Sequence, residues 1–192
     1  MLHADKIRMV VFPTIFGVLW GLLETLLGSY LHMFNTPFAG TTMAGIGAII
    51  MCVERLYTPL PGATISTAAV AVAMKVLSVG TVRLAPAIGI SVEAVLAELL
   101  LTVLGTGWCA FLASCVACTM EGIPHFFIAH WIMYGQGIFN AYLKVIEKLQ
   151  ASFGLGENLW KQILVLWVAG HLVIGIACGL LAISVGNYVR RK

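Results

Sequence analysis

The chain contains 192 residues, of which 60% are hydrophobic and only 10% are charged, and its mean hydropathy is +0.99. A soluble domain of ordinary composition carries about 25% charged residues, so this composition excludes a soluble enzyme or binding protein. At roughly 20 residues for each span, the length accommodates about six transmembrane helices. We therefore predict an all-α membrane protein in which residues 1–192 form a single integral membrane domain.

The first predicted span, at about 10–31, is patterned with glycines and contains one charged residue. On a helix with about 100° per residue, Gly17, Gly21, Glu24 and Gly28 fall within roughly 60° of one another. This face combines room for a close neighbour with the only charge of the span. Because lipid offers no hydrogen-bond partner, Glu24 is expected to face protein or water.

Further hydrophobic runs predict spans at about 41–56, 63–79, 86–104, 108–134 and 159–184, with an amphipathic segment at 136–157. The run 108–134 would be about 40 Å long as one helix. Pro124 removes one hydrogen bond within it, so we expect a kink or break there. The run 63–79 is small-residue-rich and only weakly apolar, which favours a central position in the bundle.

Basic residues flank both ends of the chain. Lys6 and Arg8 precede the first span, and Arg190, Arg191 and Lys192 close the sequence. By the positive-inside rule both termini are expected in the cytoplasm, which requires an even number of spans. The expected location is the cell membrane, crossed several times.

Polar residues of four spans lie at similar depths when about 1.5 Å is counted per helical residue from the predicted outer ends. Glu24 lies roughly 12 Å in, Lys75 roughly 8 Å, Glu93 roughly 10 Å and His125 roughly 14 Å. All four fall in the outer half of the bilayer, which predicts a polar pocket that opens outwards. With residues at the outer surface added, the predicted substrate-binding set is Glu24, His32, Asn35, Lys75, Arg83, Glu93 and His125.

Plainer interpretations of these residues stay open. Lys75 and Glu93 lie on antiparallel neighbouring spans and would neutralise each other as a purely structural pair. Glu24 would serve equally well as a hydrogen-bonding group between packed helices. If the charges do form a pocket, it suits a ligand that tolerates both signs of charge, such as a zwitterionic or anionic vitamin-like molecule.

The cysteines do not indicate a metal or redox site. Cys115 and Cys118 have the spacing of such a site, but they lie in an apolar run among small residues. Small, soft side chains are ordinary helix-packing residues in membranes. We therefore interpret both as packing residues and expect no metal and no other cofactor.

No catalytic motif of the soluble enzymes is present. The chain contains no P-loop, no G-x-S-x-G and no H-E-x-x-H sequence, so neither ATPase nor hydrolase chemistry is indicated. A transporter built from this chain would take its energy from partner proteins. We do not expect the chain to be an enzyme, nor to bind nucleic acid.

In its size, its basic ends, its six predicted spans and its lack of an ATPase motif, the chain resembles the S components of energy-coupling factor (ECF) transporters. These membrane subunits capture vitamins or metal ions from outside. The resemblance implies a small-molecule substrate, surrounding membrane lipid, a transmembrane coupling subunit and ATPase subunits as partners. Family members dock on the coupling subunit through an Ala-x-x-x-Ala pattern in the first span. The matching position here reads Gly17-Val-Leu-Trp-Gly21, which makes Gly17 and Gly21 the expected docking residues.

Two other classes of protein fit the same composition. A membrane-embedded enzyme would use Glu24, Glu93, Glu98 and His171 as acid-base or metal-binding groups, and would act without partners. A small structural or assembly subunit would use its buried charges only for stability. The residues that mark the biotin, thiamine and riboflavin members of the ECF family are absent, so the resemblance does not identify a substrate.

The predicted topology is tested by cysteine labelling from outside the cell. Single cysteines are introduced into a cysteine-free variant, because the chain has five native cysteines. A membrane-impermeant thiol reagent should label positions 35–38 and 81–84, which lie in predicted outer turns, and should not label positions 58–61. Labelling in the opposite pattern would reverse the orientation and place the polar pocket on the cytoplasmic side.

Overall fold

The computed structural model describes residues 3–34, 36, 38–77, 84–135, 137–153 and 159–191, and within these ranges every regular element is a helix. This confirms the prediction of an all-α protein. The elements are α1 (His3–Leu23), a π-helical turn (Glu24–Gly28), α2 (Ser29–Met33), α3 (Ala39–Tyr57), α4 (Ala63–Leu77), α5 (Leu84–Val103), α6 (Trp108–Tyr134), α7 (Gly137–Phe153) and α8 (Leu159–Arg190).

Within the described chain, five stretches are long and apolar enough to cross a membrane: Asp5–Leu31, Ala39–Tyr57, Pro86–Val103, Trp108–Ile132 and Leu159–Arg190. A protein with this set of helices has the character of a multi-pass membrane protein. The remaining predicted span, 63–79, corresponds to α4, which is apolar but only 15 residues long. Residues 78 and 79 of that prediction lie outside the described residues.

The predicted bounds of 108–134 match α6, whereas those of 159–184 do not match α8. Helix α6 continues from Trp108 to Tyr134 with Pro124 inside it, so the chain is not broken there. Helix α8 extends to Arg190, six residues beyond the predicted end at 184. The amphipathic segment predicted at 136–157 forms α7 (Gly137–Phe153), and its positions 136 and 154–157 lie outside the described residues.

Two contacts place the beginning of α1 and the end of α8 at the same end of the bundle. The Phe12 ring stacks on Tyr57, at the end of α3, with 5.2 Å between the ring centroids. At the other terminus, Arg190 donates a hydrogen bond to the backbone carbonyl of Thr106 in the turn between α5 and α6. We call this end the inner end, following the predicted orientation, and the opposite end the outer end.

Helix α3 is the centre of the bundle. It packs against α1, α4, α5, α6 and α8, while these five also pack on one another in the order α1, α4, α5, α6, α8. Two glycines permit close approach on different faces of α3. A β-carbon at Gly47 would lie 2.5 Å from the ring of Trp20 on α1, and one at Gly45 would lie 2.5 Å from the sulfur of Cys178 on α8. Small residues on several faces therefore explain why this helix, and not α4, is central.

A buried ion pair joins α3, α4 and α5 near the inner end. Nη1 of Arg55 lies 2.9 and 3.0 Å from the two carboxylate oxygens of Glu98, and Nη2 donates to the Thr102 hydroxyl at 2.8 Å. Glu98 also accepts hydrogen bonds from the backbone N–H groups of Gly62 and Thr64 and from the Thr64 hydroxyl. It thereby caps the first turn of α4, where backbone N–H groups lack helical partners.

Removal of Arg55 tests whether this pair holds the inner end together. Arg55→Met leaves the Glu98 carboxylate buried without its counter-ion, and loss of one partner of a buried pair costs about 3–5 kcal/mol. The variant should unfold at lower temperature than wild type in lipid nanodiscs, measured by tryptophan fluorescence. Arg8→Met, which changes an exposed arginine, is the control. Equal stability of the two variants would show that the pair contributes little.

Candidate functional site

Glu24 and Lys75 form an ion pair between the first helix and α4. Nζ of Lys75 lies 3.3 Å from Oε2 of Glu24 and donates a hydrogen bond of 3.0 Å to the Glu24 backbone carbonyl. The side chains of Lys75 and Glu24 are only 13% and 10% exposed. Glu24 begins the π-helical turn, and such turns within α-helices occur frequently at functional sites. The pair gives both residues a partner of opposite charge inside an apolar bundle.

Gly28 lies directly beside this ion pair. A β-carbon at Gly28 would lie 3.5 Å from Oε2 of Glu24 and 3.9 Å from Nζ of Lys75, both ordinary van der Waals distances. It would also lie 3.7 Å from Cγ of Met43 on α3. A group of methyl size therefore fits next to the two charges.

Glu93, on α5, is buried in the same half of the bundle. The residue is 8% exposed, and its Oε2 atom is buried without a hydrogen-bond partner. Its electrostatic neighbours are two other carboxylates, those of Glu24 and Glu121. Its backbone carbonyl accepts a contact of 3.4 Å from the Cys118 sulfur on α6. Glu93 is thus an acidic group within electrostatic range of two other acidic groups.

Glu121 and His125 form the next part of the site, one helical turn apart on α6. The Nδ1 atom of His125 lies 3.4 Å from Oε1 of Glu121. The imidazole faces Gly89 on α5, where a β-carbon would lie 3.5 Å from its Cε1 atom. The absence of a side chain at Gly89 therefore leaves room for the histidine between α5 and α6.

His171, on α8, lies against α6 and α3 and is 3% exposed. Its Nδ1 atom lies 2.8 Å from the backbone carbonyl of Trp167. Because a carbonyl only accepts hydrogen bonds, Nδ1 carries a hydrogen here. The Nε2 atom faces α6, 3.2 Å from where a Gly122 β-carbon would lie, and the Thr41 hydroxyl of α3 borders the same position at 3.8 Å.

These residues form one layer, which we call the outer polar layer: Glu24, Lys75, Glu93, Glu121, His125 and His171. They come from the π-helical turn, α4, α5, α6 and α8, and they surround the outer end of α3. The layer contains three carboxylates, one lysine and two histidines. Chemically it can bind a polar or charged group that is shielded from lipid.

The structure brings together four of the seven predicted substrate-binding residues. Glu24, Lys75, Glu93 and His125 all belong to the outer polar layer. The alternative interpretation expected Lys75 and Glu93 to neutralise each other. In the structure, Lys75 forms its ion pair with Glu24. Asn35, Arg83 and the side chain of His32 lie outside the described residues.

The expected docking face for a coupling subunit is filled by the chain's own α4. A β-carbon at Gly17 would lie 2.5 Å from the Thr67 carbonyl oxygen, and one at Gly21 would lie 2.7 Å from Cβ of Met74. The two glycines therefore allow α1 and α4 to pack closely. This corrects the assignment of Gly17 and Gly21 to an external partner.

Sequence reasoning missed two features of the charged network. Glu121 was not singled out, although its position four residues before His125 places the two side chains on one helix face. The pairing of Arg55 with Glu98 was also missed, because it joins residues 43 positions apart. The enzyme alternative grouped Glu98 with Glu24, Glu93 and His171, but Glu98 is bonded to Arg55, Gly62 and Thr64 instead.

Three further observations concern metal binding, an apolar groove and the cysteines. Among the described residues, no group of three or more His, Cys, Asp or Glu side chains is placed to hold a metal ion. The structure also has an apolar groove of about 450 Å³ between α6 and α7, whose lining does not include any residue of the outer polar layer. Cys115 and Cys118 are fully buried free thiols, as their interpretation as packing residues predicts.

No protein-family model, curated protein or solved structure matches the chain.

The packing of α1 on α4 is tested by Gly21→Leu. The added side chain would collide with Met74, and overpacking of this kind costs about 1–3 kcal/mol, so the isolated protein should show a lower unfolding temperature and a lower folded yield. Gly40→Leu is the matched control, because Gly40 is also helical and has no atom within 4 Å of an added β-carbon. A Gly21→Leu protein as stable as wild type would contradict the tight packing of α1 on α4.

Proposed function

We propose that the chain is the substrate-binding membrane subunit of an uptake transporter, of the type represented by the ECF S components, and that the outer polar layer is its binding site. The observation that carries the proposal is the convergence of polar and charged side chains from five elements in one half of an otherwise apolar bundle. Buried charges in a membrane protein are costly, and their concentration at one depth supports a binding role.

The carboxylates of Glu98 and Glu93 differ in how their oxygens are satisfied. At the inner end, both oxygens of Glu98 accept hydrogen bonds from Arg55 and from groups around Thr64. In the outer polar layer, Oε2 of Glu93 is buried without a partner. A purely structural role explains the first arrangement fully. The second arrangement leaves one carboxylate for a ligand to complete.

We propose that partner proteins supply the energy for uptake. The chain has no ATP-binding motif, so accumulation against a gradient requires ATPase subunits and a membrane subunit that couples them to this chain. The α1 face with Gly17 and Gly21 is occupied by α4, and coupling therefore uses a different surface. The enzyme alternative receives less support, since Glu98 is fully engaged at the opposite end from the other acidic groups.

The proposal is tested by following the depletion of small molecules from a defined medium. Cells that produce the wild-type chain should remove one medium component that cells lacking the chain leave behind. Glu24→Gln and Glu93→Gln should each slow this removal by roughly tenfold or more, the effect of losing one charge-assisted hydrogen bond. Purification of the tagged chain from the same membranes should recover a coupling membrane protein and an ATPase.

Glu54→Gln is the matched control. Glu54 is a fully buried glutamate on α3 whose carboxylate oxygens also have no hydrogen-bond partner, but it lies beside Arg55 at the inner end. Its neutralisation should leave uptake unchanged. If all three variants reduce uptake only in proportion to folded yield, the charges are structural. If the purified chain alone converts the depleted molecule into a product, the protein is an enzyme.

A further inference from the structure

The cationic side chains of the outer polar layer already have acidic partners. Lys75 bonds to Glu24 at 3.3 Å, and His125 lies 3.4 Å from Glu121. Within the described chain, two of the three carboxylates in the layer therefore have a basic partner: Glu24 has Lys75, and Glu121 has His125. Glu93 is the third, and its Oε2 atom lies buried without a hydrogen-bond partner.

The surroundings of Glu93 make its position electrostatically unusual. Glu24 and Glu121 act on Glu93 with charge of the same sign, and like charges repel more strongly where the dielectric constant is low. Glu54 provides the contrast, because it is equally deprived of hydrogen bonds but has Arg55 beside it. The space around Glu93 thus favours the arrival of a positive charge and disfavours a negative one.

The free volume in the layer limits the size of the group that enters it. Glycines lie next to the charges, Gly28 beside Glu24 and Lys75 and Gly89 beside His125, and a β-carbon added at either glycine would already be in van der Waals contact with these side chains. The end of a ligand that reaches them is therefore narrow. A small ammonium group fits such a position, whereas a bulky charged ring would require the helices to separate.

We propose that the ligand of the outer polar layer carries a positively charged nitrogen, as in a small primary or methylated amine, which binds the carboxylate of Glu93. This inference rests on the proposed substrate-binding function and specifies its substrate class. It replaces the expectation of a zwitterionic or anionic ligand. The ammonium donates a hydrogen bond to Oε2 and offsets the negative charge of Glu24 and Glu121.

The test uses three probes of nearly the same shape and different charge: propylammonium, 1-propanol and propionate. Wild-type protein in lipid nanodiscs at neutral pH is heated with increasing concentrations of each probe, and unfolding is followed by tryptophan fluorescence. A ligand that binds only the folded protein raises the unfolding temperature. Propylammonium should raise it in a saturable manner, and the neutral and anionic probes should not.

Glu93→Gln identifies the site. This variant keeps the shape of the side chain and removes a buried charge, so it should fold at least as well as wild type. The propylammonium concentration for half of the maximal shift should rise by roughly tenfold or more, because a charge-assisted hydrogen bond is lost. Glu54→Gln, which removes a buried charge at the other end of α3, should respond like wild type.

Three outcomes would overturn the inference. A saturable response to propionate would show that the site prefers an anion, and a response to propylammonium that Glu93→Gln leaves unchanged would place the cation elsewhere. No response to propylammonium in wild type would show that the layer does not bind small ammonium groups. In each case the medium-depletion experiment still decides independently whether the chain captures a substrate, so failure of the charge assignment is distinguishable from failure of the function.

Discussion

The structure depends on one constraint, which is that an ionisable side chain inside an apolar bundle needs a partner of opposite charge or a set of hydrogen bonds. Lipid provides neither, and the cost of an isolated charge is several kcal/mol. Arg55 and Glu98 meet this constraint completely at the inner end, and Glu24 and Lys75 meet it at the outer end. These two pairs tie α3 to α5 and the first helix to α4, so the charges also determine how the helices are arranged.

Small residues allow the helices to approach closely enough for these pairs to form. In membranes, helix association relies on close packing because lipid removes most of the hydrophobic driving force between helices. Gly45 and Gly47 open two faces of α3 to α8 and α1, and Gly17 and Gly21 let α1 lie directly on α4. The glycine pattern that resembles an external docking motif therefore serves internal packing. Gly28 and Gly89 lie beside Glu24 and His125, where an added β-carbon would be in ordinary van der Waals contact with these side chains.

The proposed function and the proposed charge of the ligand both follow from a comparison of three buried glutamates. Glu98, Glu54 and Glu93 are all buried glutamates, but their surroundings differ in hydrogen bonds and in neighbouring charge. Glu98 accepts hydrogen bonds from several donors, Glu54 is next to Arg55, and Glu93 is under the influence of two other carboxylates. A capture subunit in which the ligand supplies the missing positive charge would bind its substrate and complete the charge balance of the outer layer in one step.

The sequence by itself determined the class of protein, the approximate bounds of the helices and the depth of the polar residues. Composition, hydropathy and helical rise are properties of one segment at a time, and they were sufficient to predict that Glu24, Lys75, Glu93 and His125 share one half of the bundle. Only the tertiary structure decided the partners. Both Glu24 and Glu93 were predicted at depths close to that of Lys75. The pairing of Lys75 with Glu24 depends on how α1 packs on α4. The same packing decided that Gly17 and Gly21 face inwards, because helical periodicity shows which residues share a face but not which neighbour that face contacts.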